Sequence, residues 1–453
     1  MLKKSLHIAL LALVVSGCSS QTSSQEQSVA VYTKDQSKHA FAQAVKLSHE
    51  DEDYRILGRS FFSIPWVEAP SATTARDGLG PLFSANTCKH CHTNNGAGVA
   101  QKENGEIDRS LVMRLSIPFT KNLNNSLIMR NGFVPEPTYG GQLSFNGTSD
   151  VKYEGSVSIS YTQIEGKYAD NELFTLHQPH YKLTSLQYGD MQKDVNVAPH
   201  IALALIGLNA IEAIDTQEIL KNEDITDTNK DGISGKANWV FNPETNTTQL
   251  GRYTWKAAAA SVKQQVANAA HNDMGLSNPL YPGDNCTDKQ EECLKAPKGR
   301  GEFDLPMDRI DAITYYLETL KIPAQRKGSN FEKGQEIFNA LGCVKCHISS
   351  FITKTGETIH PYSDFLLHDM GTQLSDGHTI FLAEANEFRT PPLWGIGLYE
   401  KVSGKLNLLH DGRAKTVAEA ILWHGGEAKT QNEAFKQLTK QDRDALIEFL
   451  KGI

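Results

Sequence analysis

Apolar positions recur every three or four residues in four separated stretches, and each stretch predicts an amphipathic helix. The first runs from Tyr54 to Phe62. The second carries Ile310, Ile313, Leu317 and Leu320 on one stripe. The third, Phe331 to Phe338, opens the last part of the chain. The fourth sets Leu446, Ile447 and Leu450 on one face, with Thr439 and Asp442 suited to its start. Between Leu143 and Tyr161 the pattern changes to alternation rich in Ser, Thr, Val and Tyr, which predicts a β-hairpin or a small sheet. Pro323 to Ser329 breaks the helical pattern and reads as a linker. The expected fold is therefore mostly α, with a possible small β element inserted in the first of two helical units.

The N-terminus has a pattern of its own. Lys3 and Lys4 precede the apolar run Ile8 to Val15, and Val15-Ser16-Gly17-Cys18 follows. The run is too short to span a bilayer. It reads as a lipoprotein signal peptide, residues 1–17, with Cys18 as the lipidated first residue of the exported chain. Ser19 suits sorting to the outer membrane, so the chain is expected on its periplasmic side, held by a lipid anchor. Residues 18–45, Ser/Gln-rich at first, read as a flexible tether.

The 453 residues are 39% hydrophobic and 22% charged, which fits a folded protein of two or three domains. The expected units are 46–325 and 326–453. A net charge of −8 gives no sign of nucleic-acid binding. An acidic face suits a basic electron donor or acceptor protein, but a solvated surface is the ordinary use of most charges.

Seven cysteines carry the chemistry. Cys88-Lys89-His90-Cys91-His92 and Cys343-Val344-Lys345-Cys346-His347 are two Cys-x-x-Cys-His motifs. In an exported chain this motif marks c-type haem attachment. Both thiols become thioethers, and the following histidine reaches the iron. Two covalent haems are expected, with His92 and His347 as proximal ligands. Thioredoxin-like chemistry or one zinc site fits the following histidines less well. Helices before and after each motif match the cytochrome c plan. Cys286 and Cys293 remain, and a disulfide closing a small loop is expected in an oxidising compartment; free thiols or a redox pair are the alternatives.

Several phrases resemble the bacterial di-haem oxidoreductase family, sometimes labelled thiol oxidoreductases and related to the di-haem cytochrome c peroxidases. They include Tyr139-Gly140-Gly141-Gln142-Leu143, Asp231-Gly232-Ile233-Ser234-Gly235, Phe388-Arg389-Thr390-Pro391-Pro392-Leu393-Trp394 and His410-Asp411-Gly412-Arg413-Ala414. Glu419 to Ala428 and Tyr362 to Gly371 add to the set. The resemblance implies a peroxidase-like division of labour. One haem relays electrons with a protein ligand on both faces; the other meets substrate. The rival readings are a pure electron-transfer cytochrome and an oxidase of a protein or thiol substrate.

His424 stands about where the related peroxidases carry a distal methionine, which implies His347/His424 ligation of the second haem. Met370 is the competing ligand, and backbone capping is the ordinary use of His424. Arg389 and Arg413 suit haem propionates, since guanidinium pairs with carboxylate in bidentate fashion; surface ion pairs are the alternative. His410 suits a propionate or a loop carbonyl. No distal ligand stands out for the first haem among His177, His180, His200 and His271. Glu212, in the apolar run Ile201 to Ile214, is the candidate acid for peroxide cleavage, because an acid buried there would have a raised pKa; a helix-end glutamate facing water is the alternative. Trp255 is a candidate electronic bridge or a plain core residue. Asp227, Asn229 and Asp231, with Gly232 in the sixth position, resemble half of a calcium loop, or else a turn whose side chains bond local backbone.

Overall fold

The computed structural model describes residues 31–119 and 125–453. The signal peptide, Cys18 and the first part of the expected tether lie outside the described residues. From Val31 onward the chain is folded, which shortens the expected tether. Tyr32–Thr33 pairs in parallel with Ile322–Pro323, and Ala40 and Phe41 are fully buried.

The helix His49–Ser63 is set by its start. Ser48 caps it by accepting from the Asp51 amide, and Glu50, Asp51 and Glu52 face the positive end of the helix dipole. It lies on the helix Met307–Glu318, whose Ile310, Ile313 and Leu317 are buried. Gly58 permits that approach, because a Cβ there would overlap the Ala312 carbonyl. A third helix, Val262–Met274, is capped by Ser261 and ends at Gly275 with φ 65°. It packs on Met307–Glu318 and is called the wall helix below. In the C-terminal unit Phe331–Ala340 crosses Lys440–Gly452, with Phe338 and Phe331 edge-on or tilted to Phe449 at centroid distances of 5.3 and 4.9 Å.

The fold is not mostly α. It is 29% helix and 21% strand, and that overturns the expected class. Two sources supply the strand. One is a long hairpin, Ser156–Lys167 with Leu173–Thr184, which begins later than the alternating stretch predicts. The other is a set of two- to six-residue strands, some in local hairpins such as Trp239–Asn242 with Thr247–Leu250 and some pairing segments distant in sequence, such as Leu111–Ser116 with Asn196–Ile201. Runs that short leave too few positions for a period-2 pattern to register.

The hairpin links two cores. Val157, Ile159, Tyr181 and Leu183 at its base pack on Leu111, Met113 and Leu143. At its far end Tyr168 and Leu176 are buried with Trp423 and Phe435 of the C-terminal core. The largest core shares segments too. Phe41, Trp66, Ile310 and Leu317 are joined there by Phe351, Phe365, Leu366 and Trp394 from beyond the linker.

Candidate functional site

Each Cys-x-x-Cys-His motif opens onto a slot. Cys88, Cys91 and His92 line the first with Phe62, Leu317 and one face of the wall helix. Cys343, Cys346 and His347 line the second with Phe338, Leu450 and His424. The slots have cavity volumes of about 230 and 210 Å³. No cysteine of either motif forms a disulfide. Burial pushes the Cys88 and Cys343 thiols up to about 12, the opposite of a reactive dithiol.

Three histidines are held in one tautomer. His92 Nδ1 lies 2.9 Å from the Leu203 carbonyl, His347 Nδ1 2.9 Å from the Tyr362 carbonyl, and His424 Nδ1 2.6 Å from the Ala420 carbonyl. A carbonyl only accepts, so each Nδ1 carries the proton and each Nε2 keeps a lone pair. Burial lowers His92 and His347 to about 4 and lowers His424 as well. His424 is close enough across the second slot to help burial lower His347. Tyr362 sits at φ 50°, an unusual conformation for a bulky residue, and its carbonyl is the one His347 uses.

The two slots share a wall of Ile201, Trp255, Arg389, Pro391 and Tyr399. Trp255 Nε1 donates to the Ile201 carbonyl at 2.8 Å, which fixes the indole there. Arg389 is buried, and its Nε donates to the Thr254 carbonyl at 2.8 Å and Nη1 to the Thr390 carbonyl at 3.3 Å. Thr254 is held at φ 73°. Among the described residues no carboxylate pairs with Arg389, and burial lowers it to about 10. His410, stacked on Phe388 at 4.3 Å, lines the second slot, and its buried Nε2 makes no hydrogen bond among the described residues, with Asp411 Oδ2 3.9 Å away.

The family model described as "Di-haem oxidoreductase, putative peroxidase" matches residues 20–453. This chain belongs to the di-haem oxidoreductase family. No curated protein matches it. A solved structure of Kuenenia stuttgartiensis hydrazine synthase pressurized with 20 bar xenon is similar over 99% of this chain and 100% of that one. It is 11% identical with a TM-score of 0.35, too low to support an argument.

The slots of this di-haem oxidoreductase fit such a cofactor. A haem brings two propionates, and the shared wall holds a buried guanidinium lacking a carboxylate, with an unpartnered imidazole nitrogen nearby in the second slot. A haem also needs an axial imidazole, and three are set with free Nε2 atoms.

Several expected site residues stand elsewhere. Arg413 does not line either slot. Asp411 takes its Nε at 2.9 Å and its Nη2 at 2.8 Å, and the Gln373 carbonyl takes Nη1 at 2.6 Å, so the expected propionate partner is already committed. Glu212 faces a separate surface cleft with Lys263, Asp311 and Glu318. Its carboxylate accepts from the Tyr253 hydroxyl at 3.2 Å, and Tyr253 stands between it and the first slot. His177 and His180 lie on the hairpin, and neither lines either slot; His271 lines neither. His200 does line the first, but its Nε2 donates to Asp376 at 2.8 Å. Met370 lines the second slot beside His424.

In the expected calcium loop, Asp227 accepts from the Asp231 amide at 2.9 Å and Asn229 accepts from the same amide at 2.9 Å. Asp231 pairs with Lys345, inside the second motif, at 3.1 Å. The loop thus braces that motif with its side chains turned to local donors. Cys286 and Cys293 form a disulfide whose sulfurs pack near Leu82 and Val151.

Two groups were missed. His368 lies between Asp364 at 2.8 Å and Glu427 at 2.7 Å, behind Cys346. Burial opposes its charge, yet the two carboxylates carry it well above an ordinary imidazole. Its phrase was legible as family-like, but its partners 4 and 59 residues away were not. Asp273, on the wall helix, lines the first slot, accepts from Gln142 at 2.8 Å and is raised by burial. No sequence signal separated it from the other acids of the chain.

Proposed function

We propose that this chain is a c-type di-haem oxidoreductase of the peroxidase kind, with the C-terminal slot relaying electrons and the N-terminal slot taking the substrate. The observation that carries the reading is the asymmetry of the slots. Besides His410, the second has two imidazoles, His347 and His424, whose Nδ1–H is tied to a carbonyl and whose Nε2 is left free. The first has one, on His92, and among its described lining His200 is spent on Asp376 and the wall helix turns Val262, Val266 and Ala269 inward.

When bound, the haems supply one-electron storage and an iron that can activate a substrate. Cys88, Cys91, Cys343 and Cys346 would hold them as thioethers. His347 and His424 would both hold the second iron, and Met370 lines the same slot. Arg389 would bind a propionate at the shared wall, and Trp255 would carry electrons through it. Asp273 takes the place of Glu212 as the acid of the first slot. Burial favours its protonated form, so it can hold a proton and deliver it. Val262, Val266 and Ala269 keep water from that face. Lipidation at Cys18, a periplasmic position and a periplasmic electron-donor protein complete the proposal.

Spin-state spectroscopy of the purified protein, with stopped-flow oxidation by hydrogen peroxide, tests it. The expected result is one low-spin bis-histidine centre and one peroxide-reactive centre. Two low-spin centres in every redox state, inert to peroxide, would leave a pure electron-transfer cytochrome.

A further inference from the structure

The wall helix Val262–Met274 has a second face. Val262, Val266, Ala269 and Asp273 turn to the first slot, whereas Gln264, Asn268, His271 and Asn272 turn to a separate polar cavity of about 380 Å³. These are adjacent stripes at helical spacing, and Gln265 borders both. Arg114, His200 and Thr254 also border both spaces. The cavity therefore shares a one-residue-thick partition with the N-terminal slot. The disulfide loop, through Asn285, Cys286 and Thr287, forms part of the opposite wall.

The charges lining this cavity do not cancel. Lys256 is paired with Asp376 at 3.1 Å, and Asp284 with Lys298 at 2.9 Å. Arg114 and Arg130 remain. Neither is ion-paired within 4 Å of a carboxylate among the described residues, although Asp273, across the partition, bears on Arg114; Arg130 donates to the Leu280 carbonyl at 2.5 Å. The two arginines converge on Tyr281, whose hydroxyl feels both charges. Arg130 stands exposed on the rim, and Arg114 is at the border with the slot. His271 Nδ1 and Asn285 Oδ1 are buried with no partner among the described residues. Burial lowers His271 to about 4, so it meets a ligand as a neutral hydrogen-bonding group. Phe133, Tyr281 and Phe381 supply flat apolar surface between these polar points.

We propose that this cavity binds a small organic carboxylate with a flat apolar body, beside the N-terminal slot. Two guanidiniums match one carboxylate in bidentate geometry. The neutral imidazole and the amides would fix its orientation, and the aromatic rings would cover the body. Inorganic phosphate has no body to occupy the aromatic surface. The inference concerns binding only and stands whether or not the N-terminal centre reacts with peroxide.

The probe is benzoate, titrated into the intact haem-loaded protein by calorimetry, with the optical spectrum recorded in parallel. Binding heat is read whatever the spin state of either haem. The expected dissociation constant is below about 1 mM, with a small spectral shift transmitted through Gln265 and Arg114. Benzamide, which lacks the charge, and inorganic phosphate should bind at least about tenfold more weakly. Arg130→Gln, at an exposed position that folding tolerates, should weaken benzoate at least about tenfold and leave both motifs loaded. Arg114→Gln should do the same, and if that variant does not fold, Arg130→Gln decides. No binding heat up to about 10 mM benzoate would overturn the proposal. So would equal binding of benzamide or phosphate, or unchanged binding by Arg130→Gln.

Discussion

His424 is the residue on which the second slot turns. Its Nδ1–H is tied to Ala420 and its Nε2 shares the slot with that of His347, so removing the ring leaves His347 the one imidazole there with a carbonyl-held Nδ1–H. His424→Ala is expected to convert the low-spin signal of that centre to a high-spin or methionine-ligated one, with Met370 the available sulfur. Low-temperature electron paramagnetic resonance reads the change. The acid of the first slot is tested by a pair of variants. Asp273→Asn should slow peroxide cleavage about 10²–10⁴-fold, the usual worth of a positioned acid–base group. Glu212→Gln should leave it unchanged, since Tyr253 separates Glu212 from the slot. Glu212 instead bears on stability. Burial, and then the charge of Glu212, raise the neighbouring Glu318 from 4.5 to about 7. The folded protein then keeps a proton that the unfolded chain has released, so stability is present below the lower value and is lost as pH rises through the upper one. The urea midpoint should fall between about pH 5 and about pH 8, and Glu318→Gln should remove a loss of about 1 kcal/mol, discounted for partial exposure.

At the scale of elements, legibility depended on distance along the chain. Helices such as Phe331–Ala340 and Lys440–Gly452 show their buried stripe within a dozen residues, and the haem motifs are complete in five. The strand Tyr32–Thr33 has its partner at Ile322–Pro323, so nothing local marks it, and the class came out too helical. Arg413 has Asp411 two residues away in sequence and is committed to it, whereas only the fold shows Arg389 without a paired carboxylate among the described residues. The hairpin was visible as alternation, but its role was not. Its far end is held by Arg443, whose guanidinium lies 3.8 Å from the Tyr168 ring centroid and pairs with Asp170 at 2.8 Å and Glu172 at 2.5 Å. Arg443→Ala leaves two acids side by side and a ring without its cation. A loss of about 1 kcal/mol, mainly of the cation–π contact, is expected, with faster hydrogen exchange over residues 166–176 than elsewhere in the hairpin. Faster exchange spread evenly over the molecule would count against a local latch.

At the scale of the whole molecule the two slots are one apparatus, because Arg389 belongs to the walls of both. A nearby cation disfavours the oxidised, more positive state of a redox centre. Arg389→Leu should therefore lower both reduction potentials by tens of millivolts in a spectroelectrochemical titration, whereas Asp273→Asn should move one. A single shifted transition in Arg389→Leu would place the guanidinium against one haem alone. The composite wall also has a consequence in time. Pro391, Trp394 and Tyr399 help enclose His92, yet they emerge roughly 300 residues after it. At about 5–20 residues per second, synthesis leaves that slot unfinished for about 15–60 s. The N-terminal motif thus emerges early and is walled in late, and on the proposed c-type reading Cys88 and Cys91 stay open to haem attachment in that interval.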